Sequence, residues 1–167
     1  MVDVGVAALR IFLGAILILA GAAKIAGGTQ SFERIVRAYG IRQPLVARAV
    51  SLVLPPIELA IGFGLLLGIS AQLFAVAAGA LLLAFSGALA YALRQGYRGS
   101  CGCLGRFSAP VSRFMVRRNL FLAALTVPVY IAGGGAFLLG PALPSISLIF
   151  PFALAVPASA LLRRQRS

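Results

Sequence analysis

Five predominantly apolar stretches, each about 20 residues long, dominate this chain, and at ~1.5 Å per residue each is long enough to cross the ~30 Å hydrocarbon core of a bilayer. They fall at residues 6–25, 49–69, 71–93, 119–139 and 142–162. Hydrophobic residues make up 61% of the sequence and charged residues 11%, which excludes an ordinary soluble domain. The net charge of +12 would suit a nucleic-acid binder only if Lys and Arg shared one face of a soluble fold. Here the charges sit between the apolar runs, so no nucleic-acid partner is expected. The first run is read as a helix and not a signal peptide, because residues 1–9 carry only Asp3 where a positive leader region is needed. The expected fold is an all-α membrane protein. It is a single integral domain over 1–167, with a four-helix transmembrane bundle and a fifth transmembrane helix at 142–162.

The basic residues alternate along the chain. Lys24, Arg34, Arg37, Arg42 and Arg48 lie at or in the first connection, and Arg94, Arg98, Arg106, Arg113, Arg117 and Arg118 at or in the third. Arg163, Arg164 and Arg166 close the chain, while the second and fourth connections, around Gly68 and Gly140, carry none. The positive-inside rule then puts the first and third connections and the C-terminus in the cytoplasm, with the N-terminus outside. Residues 30–43 read either as a short amphipathic interfacial helix with Phe32, Ile35, Val36 and Tyr39 as its apolar stripe, or as a solvated basic loop. Pro55, Pro56, Pro128, Pro151 and Pro157 lie inside the spans and predict kinks.

No histidine is present, which removes imidazole metal ligands and a His general base together. What remains is one pentapeptide, Cys101-Gly102-Cys103-Leu104-Gly105, which holds both cysteines. A disulfide across one intervening residue closes a small ring that is easily strained and therefore easily reduced. Gly102 and Gly105 supply conformational latitude, and Arg98 and Arg106 would favour the reactive thiolate. Dithiol exchange requires no bound metal or cofactor, and nothing in the sequence specifies a quinone. Buried neighbouring thiols, a metal half-site completed by another chain, and a structural disulfide are the competing accounts. The glycines argue against burial.

Glu58 is the only acid inside a span, where a lone charge is costly. Lys24 and Arg10 are the bases able to meet it, either as a structural pair or as part of a proton or quinone pathway. Arg118-Asn119 could anchor the fourth helix at the interface or polarise the cysteine loop.

The order of these features resembles the MauE family of methylamine-utilisation membrane proteins, within a wider DoxX-like group. The matching residues are Arg10, Leu13-Gly14, Ala20-Gly21, Lys24, Tyr39, Pro55, Glu58-Leu59 and Gly62, then the Cys101–Gly105 pentapeptide and Arg118-Asn119-Leu120. The resemblance covers about 6–140, and it departs at Leu104, where the family usually has Phe. It implies a four-helix core and a role in forming or transferring disulfides beside a thioredoxin-like partner during maturation of exported proteins, the family's associated client being the disulfide-rich small subunit of methylamine dehydrogenase. Such clients are extracytoplasmic, whereas the charge pattern puts the Cys pair on the cytoplasmic side. Either the pair relays electrons from cytoplasmic thiols, or the loop is re-entrant, or the orientation is reversed. A thiol-disulfide oxidoreductase is thus the expected activity. A non-enzymatic membrane scaffold and a small transporter coupled through Glu58 are the alternatives.

The alternation of basic residues makes a topological prediction. In a chain lacking Cys101 and Cys103, single cysteines at Ser70 and Ser145 should react with an impermeant maleimide added to intact cells, and one at Gln165 should not. Labelling at Gln165 overturns the orientation.

Overall fold

A computed structural model describes residues 2–41, 43–101 and 110–132. The fifth expected span, 142–162, and the loop residues 102–109 lie outside the described residues. The elements run α1 (Val2–Ala26), α2 (Thr29–Ala38), α3 (Pro44–Leu67), α4 (Ala71–Arg94), α5 (Arg113–Ala124) and α6 (Thr126–Ile131). Among the described residues, four segments are long and apolar enough to cross a membrane: Val4–Ala26, Pro44–Leu67, Ala71–Arg94 and Arg113–Ile131. Large apolar side chains such as Phe12, Leu19, Phe63, Leu73 and Phe121 point outward, as a lipid-facing surface requires. The chain is an all-α, multi-pass membrane bundle.

Small residues decide which helices touch. A Cβ added to Gly14 of α1 would lie 2.7 Å from the Gly62 carbonyl oxygen of α3, and one on Gly62 would lie 2.8 Å from that of Gly14. One on Gly21 would meet the Pro55 carbonyl at 2.9 Å. With no hydrophobic drive between helices in lipid, such close backbone contact is what holds α1 along α3. Leu13 and Leu17 of α1 pack with Ile61 and Leu65 of α3, and Ala75, Ala78 and Leu82 of α4 complete this buried core with Leu122, Ala123 and Val129.

The helix ends follow from local chemistry. Pro44 occupies the first turn of α3, where its missing N–H costs nothing. Gly68, with φ 75°, ends that helix in the left-handed conformation. Pro55 and Pro56 sit inside α3 and free the carbonyls of Ser51 and Leu52, about two turns before Glu58. The amphipathic reading of the first connection is the one the fold adopts: α2 buries Phe32 and Val36 on Ala47 of α3 and leaves Arg34 and Arg37 exposed. It ends sooner than the expected residue 43, since Gly40 turns the chain with φ 98°.

The fourth span differs from its expected 119–139. Its helix starts at Arg113, so Arg113, Arg117 and Arg118 occupy its first two turns at the membrane edge. It is interrupted at Leu125. Pro128 has no N–H for the Ala124 carbonyl, and at the same interruption Thr126 Oγ1 donates to the neighbouring Ala123 carbonyl at 2.7 Å.

The α1–α3 seam is directly testable. Gly62→Ala should destabilise by about 1–3 kcal/mol, because its methyl has no room. Gly87→Ala, where a Cβ meets nothing within 4 Å, should be neutral or stabilising. Thermal unfolding in detergent would compare them, and equal melting temperatures would refute the close-packed seam.

Candidate functional site

Lys24 lies in the last turn of α1, where a lysine would ordinarily extend toward water. A helical Cα–Cβ bond, however, points back toward the helix N-terminus, here into the bundle. Lys24 Nζ accordingly reaches Glu58, donating to Oε1 at 2.7 Å and Oε2 at 2.8 Å. The side chains are 2% and 0% exposed, so both charges are removed from solvent and neutralise one another. The ammonium also stands 5.6 Å from the Phe32 ring centroid and 5.3 Å from that of Phe85, within cation–π range.

Of the two bases expected to meet Glu58, the structure selects Lys24. Arg10 stands roughly 21 Å along α1 at ~1.5 Å per residue. It lies against the opposite end of α3, where a Cβ on Gly68 would be 2.6 Å from its Nη1. The antiparallel pairing of α1 and α3 causes this. The buried cation of Arg10 faces the C-terminal end of α3, the negative end of that helix dipole.

Cys101 is buried, packed between Leu89 and Val111 with Tyr39, Leu93 and Tyr97 around it. Its carbonyl accepts a 2.8 Å hydrogen bond from the Tyr39 hydroxyl, and Tyr39 sits edge-on to Tyr97 with centroids 5.7 Å apart. The loop is closed at its base, since Val111 N–H donates to the Gly99 carbonyl at 2.9 Å and Ser100 bridges Pro110. The glycines had argued for exposure of the pair, but these anchors draw Cys101 inward. Cys103, Gly102, Gly105 and Arg106 lie outside the described residues. Arg98 is exposed.

Arg118 points the other way. Its Nη2 donates to Asn119 Oδ1 at 3.3 Å, while its Nε is buried with no hydrogen-bond partner among the described residues. Asn119 is 2% exposed, so this pair faces the bundle interior as well as the interface. Lys24, Glu58, Cys101, Arg118, Asn119 and Tyr39 all line one cavity of about 600 Å³. Sequence reasoning gave Tyr39 only an apolar role. Its place on the inner stripe of α2, a hydroxyl among apolar neighbours, was the available signal.

These features define a multi-pass helical membrane protein built around a buried ion pair, with a cysteine loop pinned at one end of the bundle. The sequence model of the family described as methylamine utilisation protein MauE matches residues 2–132, and the chain belongs to the MauE family. It is 40% identical over 124 residues to the methylamine utilization protein MauE of Paracoccus denitrificans, a match spanning 73% of this chain and 66% of that relative, just under two thirds of its length. No solved structure matches the chain.

Removing one member of a buried pair strands the other, a loss of about 3–5 kcal/mol, whereas replacing both by apolar residues is near neutral. Glu58→Gln and Lys24→Met should therefore each lower the unfolding temperature in detergent, and the double variant Lys24→Met/Glu58→Leu should recover most of it. Additive losses in the double variant would rule out the pairing as the source of the effect.

Proposed function

We propose that the protein is a membrane thiol-disulfide exchange protein that works through Cys101 and Cys103. In the exchange, the Cys101/Cys103 dithiol reduces a partner disulfide: the partner's S–S bond breaks, a new one forms between the two cysteines, and two electrons and two protons pass to the partner's thiols. The reverse reaction delivers a disulfide. The observation that carries this reading is the anchoring of Cys101. Tyr39 and the Gly99–Val111 hydrogen bond hold Cys101 at a fixed place on the wall of the cavity that Arg118 also lines. A nearby cation favours thiolate, the attacking form.

Membership of the MauE family supports a thioredoxin-like protein as the exchange partner and exported proteins as the clients, with methylamine utilisation the process in the family's name. By the distribution of basic residues, the cysteine loop lies on the cytoplasmic face and the N-terminus outside. In this reading Arg98, Arg106 and Arg118 favour the thiolate by their charge, and Gly102 and Gly105 are of the residue type that best tolerates a tight turn around the pair. A scaffold that uses the cysteines only structurally is the second reading. A transporter coupled through Glu58 is disfavoured, because both carboxylate oxygens are already held by Lys24 within a fully buried pair.

A cycling dithiol changes its redox state with conditions. Acid-quenched alkylation in cells, followed by mass analysis, should find a larger oxidised fraction of Cys101/Cys103 under oxidising growth than under reducing growth, and Cys101→Ser or Cys103→Ser should each abolish function. An invariant redox state with a functional double Ser variant would leave only the scaffold.

A further inference from the structure

The cavity beside Cys101 has a division of chemistry that exchange with a soluble partner does not use. Its walls are Ile16 of α1, Leu54 of α3, Leu82 and Phe85 of α4 and Leu122 of α5. Its polar groups are Lys24 near the end of α1, paired with Glu58 of α3, then Tyr39 after α2, Cys101 after α4, and Arg118-Asn119 early in α5. At about 600 Å³ it lies within the ~300–1,000 Å³ range of small-molecule sites. Phe12, Leu19 and Phe121 line it while also being exposed on the lipid-facing surface, so an apolar molecule has access from the bilayer.

Three features select the ligand. The apolar walls take a ring and a hydrocarbon tail. Lys24 is already held by Glu58, so the donors at the polar end that call for a hydrogen-bond acceptor are the Arg118 guanidinium and the Asn119 carboxamide, and the buried Arg118 Nε has none among the described residues. A cysteine of the exchanging pair shares the chamber, so the ligand best suited to it carries two electrons and two protons. A phospholipid chain satisfies the first feature only. We infer that this cavity binds a lipid-soluble quinone, which re-oxidises the dithiol.

The inference rests on the exchange reading above. Two S–H bonds break and the Cys101–Cys103 S–S bond forms; both electrons pass to the quinone ring, and both protons end on its oxygens as the two O–H groups of a hydroquinone. Arg118 and Asn119 act as positioning residues that hold and polarise the ring carbonyl.

The test uses the purified full chain, reduced and freed of reductant, with decylubiquinone as the probe. Quinol formation should match disulfide formation one for one, followed by absorbance and by alkylation with mass analysis. Ala88→Phe, which puts a ring into the cavity, should slow oxidation by decylubiquinone about tenfold or more. It should leave oxidation by glutathione disulfide unchanged, and Ala84→Phe on the exposed face should change neither. A photoreactive azidoquinone should label peptides from Ala71–Arg94 or Arg113–Ala124, with competition by decylubiquinone and not by phospholipid; this readout stands even if Ala88→Phe fails to fold. A dithiol oxidised by glutathione disulfide but not by the quinone overturns this inference and leaves the exchange reading intact. A dithiol inert to both overturns the two together. Labelling that phospholipid displaces identifies a lipid site and overturns the quinone assignment.

Discussion

The bidentate contact between Lys24 and Glu58 sets the conditions under which the rest of the bundle can form. A carboxylate in the middle of a transmembrane helix is tolerable only with its charge compensated and its lone pairs occupied. Lys24 can do this only if α1 lies antiparallel along α3 at close range, and the Gly14–Gly62 and Gly21–Pro55 approaches allow that range. The pair and the glycine seam are therefore mutually dependent. The glycines bring the backbones together, and the ion pair fixes which turn of α1 lies beside which turn of α3. Directionless van der Waals contact along the seam would not fix that register alone.

The same pair links the membrane core to the interface. Lys24 touches Phe32 of α2, and α2 leads directly to Tyr39, whose hydroxyl fixes the backbone of Cys101. A run of contacts thus passes from the buried carboxylate through an interfacial helix to the cysteine loop. Each contact uses a different interaction, ionic, cation–π and hydrogen-bonded. This order of parts explains why a ten-residue amphipathic helix stands between the first two spans where a plain turn would connect them. It roofs the chamber and carries the tyrosine that locates the loop.

Much of this was legible in the sequence because the bilayer is a severe solvent. Span length, the cost of Glu58 and the need for a base near it all follow from one-dimensional pattern, and Lys24 was one of two candidates. The choice between Lys24 and Arg10 depended on helix register, which no local pattern encodes. The early start of α5 was hidden because Arg113, Arg117 and Arg118 lower the apparent hydropathy of turns that are nonetheless helical. The inward turn of Cys101 was hidden for a related reason. Gly102 and Gly105 report what the loop backbone can do, whereas burial is decided by Tyr39, 62 residues away in the chain. Long-range hydrogen bonds of this kind leave no signature beyond the residue type.

The chamber itself follows from the same constraint. The glycine seam holds α1 and α3 at contact, and the Lys24–Glu58 pair resists a change of register, so these two helices are not free to slide and close the space of about 600 Å³ beside Cys101. Because Phe12, Leu19 and Phe121 line that space and are also exposed on the outer surface, it opens toward lipid and not into a sealed core. The ion pair therefore keeps apart the walls of a cavity that α2 roofs and Cys101 borders, which is how a charge buried in one helix comes to shape the surroundings of a cysteine in a distant loop.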